Sequence, residues 1–292
     1  MEEEQQQRPD FSWRNWGPGM RLWLIFALHV VLMILLMSLA QSPSLSWMSG
    51  DASLGWPMWL MRLNHAWTLA LLFGLPVLIL GHMYPEEGLE FRQQAVRPPW
   101  KLLALATLII LVAQPADDWL YKLNVSLAGD YTPAEKEELS KVVTILEMPG
   151  WPELLINLLV LGLAPAIFEE LFYRGTVQRL LLRWSGNVHL AVWLTAGMFA
   201  LMHFNMRAFI PFCLLGVLLG YLCAWSGSVW LSIIVHFINN VIYILYYYWL
   251  KHDPAAEDFG FPLWTGPVSL AVTLGLVFLM YRLAGKRLEI NH

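Results

Sequence analysis

Ala164-Pro165-Ala166-Ile167-Phe168-Glu169-Glu170-Leu171-Phe172-Tyr173-Arg174-Gly175 decides how this chain is read. Two adjacent carboxylates and an arginine follow an apolar run, Leu154 to Phe168, that has the character of a membrane helix. An ionised side chain at mid-membrane costs about 3 kcal/mol on insertion scales, so such residues persist only where something offsets them. Helix geometry supplies an offset for one acid. Glu170 and Arg174 stand at i and i+4 on one face and can pair. Glu169 points about 100° away round the helix and has no local cation. One acid is expected to be structural and the other to be left for chemistry.

The rest of the chain makes the membrane setting consistent. Of 292 residues, 58% are hydrophobic and 14% charged, against about 25% charged for soluble domains. Apolar runs of roughly 20 residues between short polar loops predict an all-α polytopic integral membrane bundle of about eight transmembrane helices. The expected spans begin near Met20, His65, Trp100, Leu154, Val188, Phe209, Val229 and Leu263. The third is expected to end at Ala116 and the fifth at Met206. The division expected is a polar tail over 1–19, ending in interfacial Trp13 and Trp16, and one membrane domain over 20–285. Its catalytic core is expected over 151–250. The first span is too long for a cleavable signal peptide and is expected to remain.

Residues 117–152 read as the longest loop. Within it Thr132-Pro133-Ala134-Glu135 is a helix start, with Thr as cap and Glu three residues on. Leu139, Val142, Val143 and Leu146 then share one face, which predicts an amphipathic helix over about 133–147. A surface-lying helix is the plainer reading and a gate over the bundle the sharper one. Asp117 and Asp118 read as solvated charge at a span's end.

With eight spans both termini share a side. That side holds twelve of the 18 Lys and Arg residues, so both termini are expected in the cytoplasm. The location follows as a multi-pass protein of the plasma membrane, the inner one if the source is bacterial. A net charge of −4 with no basic stripe speaks against nucleic acid as a partner. Membrane lipid and a membrane-associated peptide or protein are expected instead. Cys213 and Cys223 fall on different faces of one span and read as packing residues.

Polar residues recur in two further spans. His203 comes late in the fifth. In the seventh, Ser228, Ser232, His236 and Asn240 follow at steps of four, a polar stripe on an apolar helix. This set suits water activation. A carboxylate in an apolar pocket can act as a base near neutrality, and an imidazole can position the water. A second imidazole and an amide supply donors to an oxyanion. Glu169, His203 and His236 are also acceptable zinc ligands. No His-Glu-x-x-His helix occurs, and Asn is a poor zinc ligand, so a metal-free site is preferred with zinc as the alternative. His29 reads as a packing residue, and the remaining histidines as interfacial or packing residues.

Together Glu169-Glu170-x-x-x-Arg174, Phe199-x-x-x-His203 and His236-x-x-x-Asn240 resemble the three motifs of the CAAX prenyl endopeptidase and bacteriocin-processing (CPBP, or Abi) intramembrane proteases, type II CAAX prenyl protease-like. Gly216-x-x-x-Gly220-Tyr221-Leu222 and Gly227-Ser228 resemble the bacterial members. The resemblance covers about Leu154 to Leu250 and departs from the pattern at no motif position. It implies an eight-helix fold with a site inside the membrane, reached from the cytoplasmic side. It implies that Glu169 and His203 activate water while His236 and Asn240 hold the oxyanion, and that substrates include prenylated or otherwise lipidated chains. A non-enzymatic immunity or scaffold protein using the same pocket is the alternative. A coupled transporter lacks support, since no duplicated halves are visible.

Overall fold

A computed structural model describes residues 15–40, 57–85, 100–128, 130–250 and 260–284. Among them the protein is helical throughout, with no strand. The tail up to residue 14, residues 41–56, the loop with Glu86, Glu87, Arg92 and Arg97, then Lys251, His252, Lys286, Arg287 and His292, all lie outside the described residues.

The helices in chain order are α1 (Pro18–Ala40), α2 (Met58–Met83), α3 (Trp100–Ala128), α4 (Pro133–Leu146), α5 (Trp151–Ser185), α6 (Val188–Leu201), α7 (Met206–Ser226), α8 (Val229–Leu250) and α9 (Thr265–Ala284). Seven of them, all but α4 and α6, are long and apolar enough to cross a membrane, which makes this a multi-pass membrane protein. The fifth expected span is the exception. Instead of reaching Met206 it stops at Leu201 after 14 residues, about 21 Å, short of the roughly 30 Å hydrocarbon layer. Phe204 takes a left-handed φ of 51°, and Asn205 Oδ1 accepts from the amides of Arg207 and Ala208 to start α7. His203 therefore sits on a turn rather than on a helix.

Proline falls inside α2, α3 and α5, and beside each a side chain from a neighbouring helix bonds a carbonyl three or four residues before it. In the hydrocarbon an unsatisfied backbone group costs several kcal/mol, and proline cannot donate to the carbonyl four residues back. Pro76 leaves the Leu72 carbonyl without that donor; His29 Nδ1 of α1 donates to it at 2.8 Å. The imidazole lies 5.1 Å from the rings of both Phe73 and Phe172, so His29 packs as expected and also mends α2. In α3 the hydroxyl of Ser269 accepts from Ala116 N at 3.2 Å and donates to the Val112 carbonyl. That hydroxyl is inserted into the bond next to Pro115. In α5 the turn widens over Leu158–Leu163 just before Pro165, and Asn240 Nδ2 donates to the Gly162 carbonyl at 3.3 Å.

With Ser269 bridging the turn beside Pro115, α3 does not end at Ala116 but runs to Ala128. This corrects the reading of Asp117 and Asp118 as loop charge. The helix carries both into the bundle, where Tyr243 Oη donates to Asp117 Oδ2 and Lys122 Nζ pairs with Asp118 Oδ2 at 2.7 Å.

α4 starts at a capping box: the Thr132 hydroxyl accepts from Glu135 N at 3.2 Å, and Glu135 Oε2 accepts from Thr132 N at 2.7 Å. Its far end is tied to α2 and α5. Arg62 Nη2 donates to the Glu147 carbonyl at 2.6 Å, and Asn157 Nδ2 donates to that of Ile145 at 3.0 Å.

Candidate active site

α5 brings both acids into the bundle midway along its length, and the next wide turn, Tyr173–Gln178, brings Arg174 in with them. Such turns are rare and often fall at functional sites. Arg174 Nη1 donates to Glu170 Oε1 at 2.6 Å, with both side chains fully buried. Arg174 Nη2 donates to the Gly216 carbonyl at 2.9 Å. One turn on, Gln178 Nε2 donates to the Gly220 carbonyl at 3.0 Å. Both glycines are required by close approach. A Cβ at Gly216 would come within 3.0 Å of the Ala196 backbone, and one at Gly220 within 2.8 Å of Gln178 Oε1. The small-residue spacing lets α6 and α5 come close enough to α7 to use its carbonyls.

The polar stripe of α8 faces inward, with Ser232 meeting α7 while His236 and Asn240 both meet α5. Ser232 Oγ donates to the Leu219 carbonyl of α7 at 2.9 Å. His236 Nδ1 donates to Glu170 Oε1 at 3.0 Å. Asn240 takes the Gly162 carbonyl. The result is a buried Arg174–Glu170–His236 chain in which one carboxylate oxygen serves two donors.

Glu169 is placed differently. It is 7% exposed, and its Oε2 has no hydrogen-bond partner within the protein. The buried hydroxyl of Tyr173, one turn along the same face, has none either. Unsatisfied buried polar groups are uncommon and call for an explanation. The second oxygen of Glu170, Oε2, is likewise buried without a partner.

His203 is half-buried. Its Nδ1 donates to the Phe199 carbonyl at 2.7 Å, and its ring stacks on Phe212 at 4.2 Å. Phe199 is the hub of the arrangement. Its ring lies 4.7 Å from that of His203, 5.9 Å from that of His236 and 5.4 Å from that of Tyr173, with the Arg174 guanidinium 4.8 Å above it. The structure thus sets His203, His236 and Arg174 about one aromatic ring, with Glu170 bonded to Arg174 and His236, and Asn240 a turn beyond His236.

Two consequences concern the chemistry. With Nδ1–H committed to a carbonyl, neutral His203 presents Nε2 as an acceptor. With Nδ1–H on Glu170, His236 likewise presents an acceptor at Nε2, and donates there only when the ring carries both protons. The expected pair of oxyanion donors is therefore conditional on the protonation of His236, whereas the amide of Asn240 keeps a second N–H. As to zinc, no group of three or more His, Cys, Asp or Glu side chains among the described residues is placed to hold a metal ion. Glu169, His203 and His236 as arranged do not form such a set.

Sequence reasoning did not single out Tyr173 and Phe212. Tyr173 had a signal, its position four residues after Glu169; Phe212 had none, since only the turn at 202–205 folds it onto His203.

Residues 151–242 match the family described as Type II CAAX prenyl endopeptidase Rce1-like. That interval contains all seven residues of the three motifs. None of the curated proteins and none of the solved structures compared with the chain matches it.

Proposed function

Since residues 151–242 form an Rce1-like type II CAAX prenyl endopeptidase domain, whose family acts on protein substrates, we propose that the chain is an intramembrane endopeptidase. It cuts a peptide bond close to the membrane surface with water activated by Glu169. The observation that carries this reading is the contrast between two adjacent acids. Glu170 Oε1 accepts from both Arg174 and His236, which leaves only its Oε2 unpartnered, while Glu169, with its own buried Oε2 unpartnered, is held by neither of them.

Glu169 takes a proton from water, and His203 Nε2 accepts the second O–H and so orients the oxygen toward the scissile carbonyl. Attack gives a tetrahedral oxyanion, to which Asn240 donates its free N–H and doubly protonated His236 its Nε2–H. Collapse breaks the C–N bond, and Glu169 returns its proton to the leaving amine. Glu170 and Arg174 orient His236 without touching substrate. The substrates proposed are membrane-associated chains, prenylated or lipidated ones among them.

The test is proteomics of membrane-peptide C-termini in cells carrying the wild type, Glu169→Ala, Glu169→Gln, His203→Ala or His236→Ala. New C-termini should appear with the wild type and vanish in all four variants, each still inserted at wild-type abundance. Cleavage that persists at full rate in any of the Glu169 or histidine variants would remove the mechanism. A phenotype that survives Glu169→Gln would point to binding without catalysis.

A further inference from the structure

His203 owes its position to the turn Met202–Ala208, and that turn is held from outside the matched family domain. Asn124 Nδ2, near the end of α3, donates to the carbonyls of Met206 and Arg207 at 2.6 and 2.8 Å. Arg207, 3% exposed, turns its side chain away from the site and into the start of α4. Nε donates to Glu135 Oε1 at 3.1 Å, and Nη2 donates to Glu135 Oε2 at 3.3 Å and to the Asp130 carbonyl at 2.8 Å. The guanidinium lies 3.8 Å over the Tyr131 ring. A two-point fork between guanidinium and carboxylate fixes direction as well as distance. The turn also contains the left-handed Phe204, a backbone state that persists only where its surroundings impose it.

We propose that Arg207 is a positioning residue for His203, and that Glu135 at the start of α4 is its counterpart. α4 and the turn that bears the imidazole then form one mechanical unit. While α4 is docked, His203 is in register with Glu169. When α4 lifts, the fork opens and the turn slackens, so admission of substrate and assembly of the site are coupled. This rests on the peptidase reading, and the experiment separates the two.

Glu135→Gln is the clean variant, because Gln at that position still completes the capping box and loses only the charged fork. Arg207→Gln, Arg207→Lys and the charge-exchanged pair Glu135→Arg with Arg207→Glu complete the set. Amide exchange over 202–208 should rise by about fivefold or more in Glu135→Gln and Arg207→Gln. Peptide cleavage should lose about tenfold in kcat with KM within about twofold, and the exchanged pair should recover part of both. Unchanged exchange overturns the inference, and so does raised exchange with unchanged kcat. A fall in kcat that tracks loss of folded protein in the exchanged pair as well as in the single variants also overturns it, since a merely structural contact behaves so. If exchange rises as expected while the wild type cleaves nothing in the C-terminal proteomics, the peptidase reading falls and the clamp stands.

Discussion

Glu169 and Glu170 are separated by one peptide bond and live in opposite surroundings. Removing one partner of a fully buried ion pair leaves the other charge uncompensated, which typically costs about 3–5 kcal/mol. Glu170→Ala is therefore expected to strip Arg174 and His236 of their shared acceptor and to destabilise the protein by about that much, read as a lower unfolding temperature in detergent. Glu169→Gln breaks no contact within the protein and should leave that temperature unchanged while ending cleavage. The i, i+4 relation of Glu170 and Arg174 was legible from spacing alone. That His236 would take the same oxygen was not, because it depends on how α8 packs against α5 across 66 residues.

At the scale of the element, short polar side chains restore helices that proline interrupts. Ser269→Ala should leave the Val112 carbonyl and the Ala116 amide without their bridge and cost about 1–3 kcal/mol, with amide exchange at Ala116 raised above that of the rest of α3. The start of α4 responds to acid instead. Arg207, and then the Thr132 amide and hydroxyl, hold the Glu135 carboxyl down at about 2, from an ordinary 4.5. A depressed carboxyl stabilises the folded form fully above the ordinary value, and that stabilisation is lost as pH falls through the depressed one. Unfolding temperature should accordingly decline between about pH 4.5 and pH 2, with a shallower decline in Glu135→Gln. The cap at Thr132 could be read from four letters; the ion pair could not, because Arg207 lies 72 residues away. The end of α3 was misread for a related reason. Pro115 looks like a stop until Ser269, from a helix more than 150 residues later in the chain, is seen to bridge the turn beside it.

For the whole molecule, the end of the bundle that bears α4 is also the end that bears the His203 turn, through Asn124 and Arg207. The start of α1 lies at the other end, where a Cβ on Gly19 would sit 3.1 Å from Trp184. Both termini in the cytoplasm then places α4 and the His203 turn toward the opposite face, whereas the family resemblance implies entry from the cytoplasm. Single cysteines at Ser140 and Trp184, in a protein whose Cys213 and Cys223 have been replaced, should be labelled by an impermeant reagent from opposite sides. The distribution of Lys and Arg leads us to expect Ser140 on the non-cytoplasmic side; labelling from the cytoplasm would invert the bundle and open the site there.

Hydropathy and local spacing determined that the chain is a helical membrane protein, which residues could pair within one helix, and which motifs it shares with a protease family. These are properties of neighbours along the chain, and helix geometry alone converts them into structure. Which acid is left unengaged, what holds His203, and where α3 and α6 end were decided by tertiary contacts. A side chain's partner across helices is set by the packing of residues dozens of positions apart, and in a membrane interior without water every backbone group freed by a proline or a turn must find such a partner.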